Sequence, residues 1–119
     1  MASASVVRAG AWTGGAPWEG HVAGKDLGTD VTILAVRIEE PGGGPRLHVH
    51  PYDEVFIVQE GHGRYTVGEE TVDAGPGDMV LGPANVPHTF TNLGPGPLVS
   101  IDIHLSLEWI QTDLEGPDG

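Results

Sequence analysis

The sequence contains no cysteine, which excludes a disulfide framework and any thiolate metal site. Positive charge is scarce as well: five Lys and Arg residues against 17 Asp and Glu give a formal net charge of -12. Arg8, Lys25, Arg37, Arg46 and Arg64 are scattered along the chain, whereas a nucleic-acid surface needs clustered bases, so no nucleic-acid partner is expected. No apolar segment approaches the length of a bilayer span, so no membrane partner is expected either. The opening MASASVVRAGAW lacks a charged start followed by an apolar stretch, which argues against a secretory leader. With the missing cysteines it suits a cytoplasmic location. Helical periodicity is nearly absent.

What the chain has in quantity is turn residues. Nineteen glycines and ten prolines are distributed between short apolar segments, a pattern of frequent turns rather than disorder. VTILAVRIEE (31–40), LHVH, EVFIVQE, RYTV, ETVD, MVLG, HTFTN and LVSIDIHL (98–105) alternate or run apolar, and each is closed by glycine or proline. Gly68 marks a hairpin turn between RYTV and ETVD, and Pro76-Gly77 suits a type II turn. Regular short strands of this kind predict an all-β sandwich or barrel. The 119 residues fit one domain, with a modest core that association into a homodimer would enlarge. Residues 1–30, with Trp12 and Trp18 among glycines, are expected to form an irregular arm or edge strand. Residues 31–107 form the barrel, and 108–119 a short C-terminal helix or tail. The helical element is predicted from LSLEWIQTDLE (105–115), where Leu107, Ile110 and Leu114 fall at helical spacing.

The stretch GGGPRLHVHPYDEVFIVQEG (42–61) carries the chemistry. In a strand, His48 and His50 share one face and Val49 takes the other. Pro51 cannot donate to a ladder, so HPYD turns the chain and returns Glu54 beside the imidazoles, with Phe56 and Val58 beneath. A second stretch, GDMVLGPANVPHTFTN (77–92), places His88, Phe90 and Asn92 on a common face, with His88 as the natural fourth ligand. Three imidazoles and one carboxylate suit a first-row divalent metal with two coordination positions left open, a working site rather than a closed structural one.

These residues resemble the two motifs of the cupin superfamily. Gly42, His48, His50, Glu54 and Gly61 satisfy every fixed position of the first, and Gly77, Pro83, His88 and Asn92 match the second. The one departure is Asn85 at a glycine position; asparagine is the next best residue for the positive φ expected there. The resemblance covers about residues 31–107. It implies a small, single-domain jelly-roll β-barrel, often dimeric, with one metal in its mouth held by His48, His50, Glu54 and His88. Iron or manganese is the favoured ion, with nickel or zinc as alternatives.

Around that site several residues are open to more than one reading. His104 shares a face with Ser100 and Asp102; facing inward it would be a proton carrier behind the ligands, facing outward a surface histidine. Glu54 could accept a proton as well as bind metal. Tyr52 either offers its hydroxyl to a substrate or packs at the loop. Arg46 could pair with a substrate carboxylate if the strand register holds. Phe56 and Phe90 are core residues that double as pocket walls. Asp53 points away and is the weaker ligand, while His62 is expected in an exposed turn. The expected activity is that of a metal-dependent dioxygenase acting on a small organic molecule. The alternatives are an oxygen-independent isomerase, cyclase or lyase on the same site, or a binding and sensing module without catalysis.

Overall fold

The apolar–polar alternation becomes ten strands and two single-turn helices. In a computed structural model that describes residues 4–13 and 19–114, these are α1 (Ala9–Trp12), β1 (Gly20–Val22), α2 (Gly24–Leu27), β2 (Thr32–Ile38), β3 (His48–Val49), β4 (Glu54–Glu60), β5 (Gly63–Val67), β6 (Glu70–Ala74), β7 (Met79–Gly82), β8 (His88–Asn92), β9 (Leu98–His104) and β10 (Thr112–Asp113). They make two five-stranded sheets, ordered β1-β2-β9-β4-β7 and β10-β3-β8-β5-β6. All pairings are antiparallel. Phe56, Val58 and Leu98 of the first sheet pack with Tyr65, Ala74 and Phe90 of the second to form the core. This is the jelly roll expected from the motifs, left open at its sheet edges.

The strand parities read from the sequence hold. Glu54, Phe56 and Val58 are buried together, as are His88, Phe90 and Asn92. The hairpin turn falls at Gly68, where φ is 60°, and Gly77 has φ 89°. Gly61 is required twice over: its φ is 80°, and a Cβ there would meet the Pro97 carbonyl oxygen at 2.2 Å. Asn85 adopts φ 64°, the positive value expected of it. His62 is exposed, as expected.

The C-terminal stretch differs from its sequence reading. Residues 105–108 are bends rather than helix, and the chain then runs into β10, which pairs with β3. The reason lies in where the backbone groups go. Ile110 N–H donates to the Tyr52 hydroxyl at 3.1 Å, and Leu114 N–H donates to the Leu47 carbonyl at 2.9 Å, so neither is available for a helical ladder. The N-terminal arm contributes β1 as an edge strand on β2. Both sheets thus take an edge strand from outside 31–107. Trp18 and residues 115–119 lie outside the described residues. No helix among those described is long and apolar enough to cross a membrane.

Candidate metal centre

Strand register builds the site. His48 and His88 sit opposite each other across β3 and β8, and Glu54 is flanked by Gly82 on β7 and His104 on β9. Gly82 leaves room for the His88 ring, whose Nδ1 would lie 3.2 Å from an added Cβ. The two motifs are tied together by backbone bonds: Asn85 N–H donates to the His50 carbonyl at 2.8 Å, and Ala84 N–H donates to Asp53 Oδ1 at 2.8 Å. Asp53 is therefore a loop anchor and no part of the ligand cluster.

His48, His50, Glu54 and His88 are all buried, and one ligand atom from each lies within 4.8 Å of every other. Each imidazole is oriented from behind. His48 Nδ1 donates to the Arg46 carbonyl at 2.6 Å, His50 Nδ1 to the Ile110 carbonyl at 2.7 Å, and His88 Nδ1 to the Val86 carbonyl at 3.2 Å. A carbonyl can only accept, so the proton resides on Nδ1 and a neutral ring turns the Nε2 lone pair inward. His50 Nε2 then has no hydrogen-bond partner, although Glu54 Oε1 stands 3.1 Å away. Lone pair faces lone pair, an arrangement that a cation between them resolves. The donor set thus fits a divalent metal, and the chemistry of three imidazoles and one carboxylate agrees.

The electrostatics support the same assignment. Burial pushes the Glu54 carboxyl up, but its contacts with His104, His50 and His88 outweigh it and hold the group well below the usual carboxylate range. Burial lowers the His48 pKa, against the pull of the Arg46 carbonyl, and so favours the ligating neutral ring. At His50 burial acts in the same direction, yet the nearby Glu54 carboxylate and the Ile110 carbonyl outweigh it and raise the pKa, so there the neutral ring is favoured only once a cation stands between His50 and Glu54.

His104 faces inward and is buried. Its Nε2 lies 2.9 Å from Glu54 Oε2, and its Nδ1 lies 2.6 Å from the Tyr52 hydroxyl. Tyr52 also receives the Ile110 N–H, and its O–H has two acceptors within reach, His104 Nδ1 at 2.6 Å and the Ile110 carbonyl at 3.0 Å. On the shorter contact Tyr52 O–H donates to His104 Nδ1, and His104 Nε2–H donates to Glu54. Burial pushes the Tyr52 pKa up to about 12, against the lowering effect of the Ile110 backbone bond, so the phenol keeps its proton. Tyr52 is consequently engaged by the protein and does not offer its hydroxyl to a pocket.

A cavity of about 290 Å³ opens onto this cluster. Leu34, Val36, Ile38, Pro45, Phe90 and Trp109 give it apolar walls, and His48, Glu54, Asp102, His104 and Gln111 its polar surface. Of the pocket residues expected from sequence, Phe90 is a wall, whereas Phe56 lies below it in the core, its ring 5.5 Å from that of His88. Arg46 is exposed on the loop before β3 and contributes only its carbonyl; the adjacent Gly44 and Pro45 take the lining positions instead. The β2 wall and Trp109 were not read from sequence. Alternation in VTILAVRI holds the signal for the first; the second was obscured by the helical reading of 105–115. A larger groove of about 570 Å³ between β6 and β7 lies away from the histidine cluster.

The family model of the cupin domain matches residues 36–104. Among solved structures, Bacillus subtilis oxalate decarboxylase, whose Mn(II) centres have been characterised, superposes with a TM-score of 0.74 at 24% identity over 80% of this chain. The present chain spans only 27% of the length of that enzyme. A Klebsiella pneumoniae protein with a double-stranded β-helix domain superposes with a TM-score of 0.66 at 21% identity, covering 74% of this chain and 73% of its own. No curated protein matches the sequence.

Proposed function

The chain belongs to the cupin-domain family, and from that premise we propose that it is a metal-dependent dioxygenase acting on a small organic molecule. The observation that carries the reading is a buried His48, His50, Glu54 and His88 cluster at the polar end of an apolar-walled cavity. That combination suits a molecule that meets the cluster through oxygen atoms while its carbon body packs on Leu34, Val36 and Phe90. Iron or manganese is the favoured ion, and when bound it supplies Lewis acidity toward substrate oxygens and, if redox-active, a means of reacting with O2.

The chain's own residues provide orientation and proton handling. The three carbonyls behind the imidazoles fix the ligand geometry, and Trp109 and Phe90 offer apolar surface to the substrate's carbon body. On this reading Glu54 takes the proton-accepting role, with Oε1 toward the ligand cluster, His104 donating to Oε2 and Tyr52 holding His104 in register. That relay also favours a second reading, an oxygen-independent isomerase or lyase in which proton transfer alone is the chemistry. With a core of six buried side chains, the proposal extends to a cytoplasmic homodimer, which sedimentation equilibrium tests.

The deciding experiment is oxygen uptake. The protein reconstituted with iron is offered enolisable and dihydroxylated small molecules in an oxygen electrode, with anaerobic samples assayed in parallel. Uptake stoichiometric with substrate loss supports the dioxygenase, equal turnover without air supports the isomerase or lyase, and inert metal-loaded protein refutes both.

A further inference from the structure

Every Lys and Arg side chain can be located, and none lines the cavity. Lys25 pairs with Glu108 at 3.1 Å, Arg64 with Asp73 at 2.8 Å, and Arg37 with Glu39, all at or near the surface. Arg8 and Arg46 are exposed, and no Lys or Arg lines the pocket. The charged residues that do line it are the acids Glu54 and Asp102. A divalent ion held by Glu54 would leave at most one net positive charge, and none where Asp102 is ionised. A donor pair bound as a monoanion closes that count to zero, whereas a second negative charge is buried without a partner, which is costly in a low-dielectric pocket. The chain's net charge of -12 adds a long-range bias in the same direction.

Shape agrees with charge. Six apolar side chains surround about 290 Å³, space for a substituted ring or a short branched chain. Trp109 forms one side of the wall: its Nε1–H donates to Gln111 Oε1 at 3.0 Å, and its ring lies 6.0 Å from that of His104 and 4.9 Å from that of His21. This wall comes from the segment after residue 104, outside the part of the chain that matches the family model.

Resting on the functional reading above, we propose that the cavity selects an uncharged, largely apolar molecule carrying two adjacent oxygen donors, and that it rejects molecules carrying an additional carboxylate. The absence of any cationic side chain from the wall is the selecting feature, and Gln111 at the mouth is the position from which it can be reversed.

The test uses the full chain loaded with Zn²⁺, which is redox-silent, and compares 4-methylcatechol with 3,4-dihydroxybenzoate by calorimetry. The two probes differ by a methyl for a carboxylate. Metal content is measured before either probe is added, so a chain that takes up no zinc fails at that step and overturns the functional reading together with this proposal. In the zinc-loaded protein, 4-methylcatechol should bind at least tenfold more tightly. A Gln111→Arg variant, made with Asp113→Asn so that the neighbouring carboxylate does not neutralise the new charge, should narrow or reverse that ratio by about tenfold. Equal or tighter binding of the carboxylate probe by the unaltered chain, no binding of either probe, or an unchanged ratio in the variant would overturn the proposal while leaving the metal centre standing.

Discussion

His104 Nε2 lies 2.9 Å from Glu54 Oε2, on the carboxylate oxygen opposite the one that meets His50 and His88 at 3.1 Å. One oxygen of Glu54 thus faces the ligand cluster and the other a group that can carry a proton. Replacing His104 by Gln retains a donor toward Glu54 and removes the imidazole. His104→Gln should therefore keep a full metal complement while turnover falls by about 10²-fold or more. Metal analysis alongside kcat separates the roles: loss of metal together with activity would make His104 a part of the metal centre itself.

Metal binding should also be visible as stability. The four ligands come from β3, the turn after it, β4 and β8, so an ion that binds only the folded chain stabilises it by about 2.7 kcal/mol at one hundred times its Kd. Thermal unfolding with Mn²⁺ or Zn²⁺, and again with excess chelator, should differ by several degrees. In His48→Ala/His50→Ala the two melts should coincide. A metal-dependent shift that survives the double substitution would place the ion elsewhere.

Much of this site was legible in the sequence because strand parity is a local property. Once 54–60, 88–92 and 98–104 are strands, alternation groups Glu54 with Phe56 and Val58, His88 with Phe90 and Asn92, and His104 with Ser100 and Asp102, leaving only the direction of the last face open, and Pro51 dictates the turn that reunites His50 with Glu54. Asn85 was legible for the same reason, since its φ is set within one turn. The C-terminal segment was not, because its conformation depends on bonds across the fold. Nothing in WIQTD says that the Ile110 carbonyl will accept from His50 or that its N–H will be taken by Tyr52. Arg46 failed for a related reason: regular pairing begins at β3, so its parity with His48 does not extend back through Pro45.

Tyr65 makes the opposite case, a buried polar atom with nothing to do. Its ring is fully buried between Phe56 and Phe90, its hydroxyl has no hydrogen-bond partner, and burial, reinforced by the negative charges of Asp102 and Glu54, raises its pKa. Removing an unsatisfied hydroxyl while keeping the ring relieves a desolvation cost of about 1–3 kcal/mol. Tyr65→Phe should therefore leave the urea midpoint unchanged or raise it. A clear fall in the midpoint would mean that the hydroxyl is satisfied.

Asp102 adds a falling limb to the pH dependence, joined by His50, whose pKa is raised, and opposed by His48, whose pKa is lowered. Asp102 is buried on the inner face of β9, accepts the Ser100 hydroxyl at 2.8 Å, and is driven well above the usual Asp range by burial first and by the charge of Glu54 second, against the opposing Ser100 bond. The folded chain therefore binds this proton more tightly than the unfolded chain. Between the unfolded value of about 3.9 and the raised folded value, stability falls as pH rises, by at most about 1.4 kcal/mol per pH unit for one proton. Glu54 has the opposite sign, since its depressed pKa contributes stability already present above the unfolded carboxylate value, so it adds no slope in this window. In chelator, the urea midpoint of the unaltered chain should drop from pH 5 to pH 8. Asp102→Asn, which preserves size and an acceptor for Ser100, should flatten that drop. Parallel pH profiles in the two proteins would show that Asp102 ionises normally and that the loss of stability arises elsewhere.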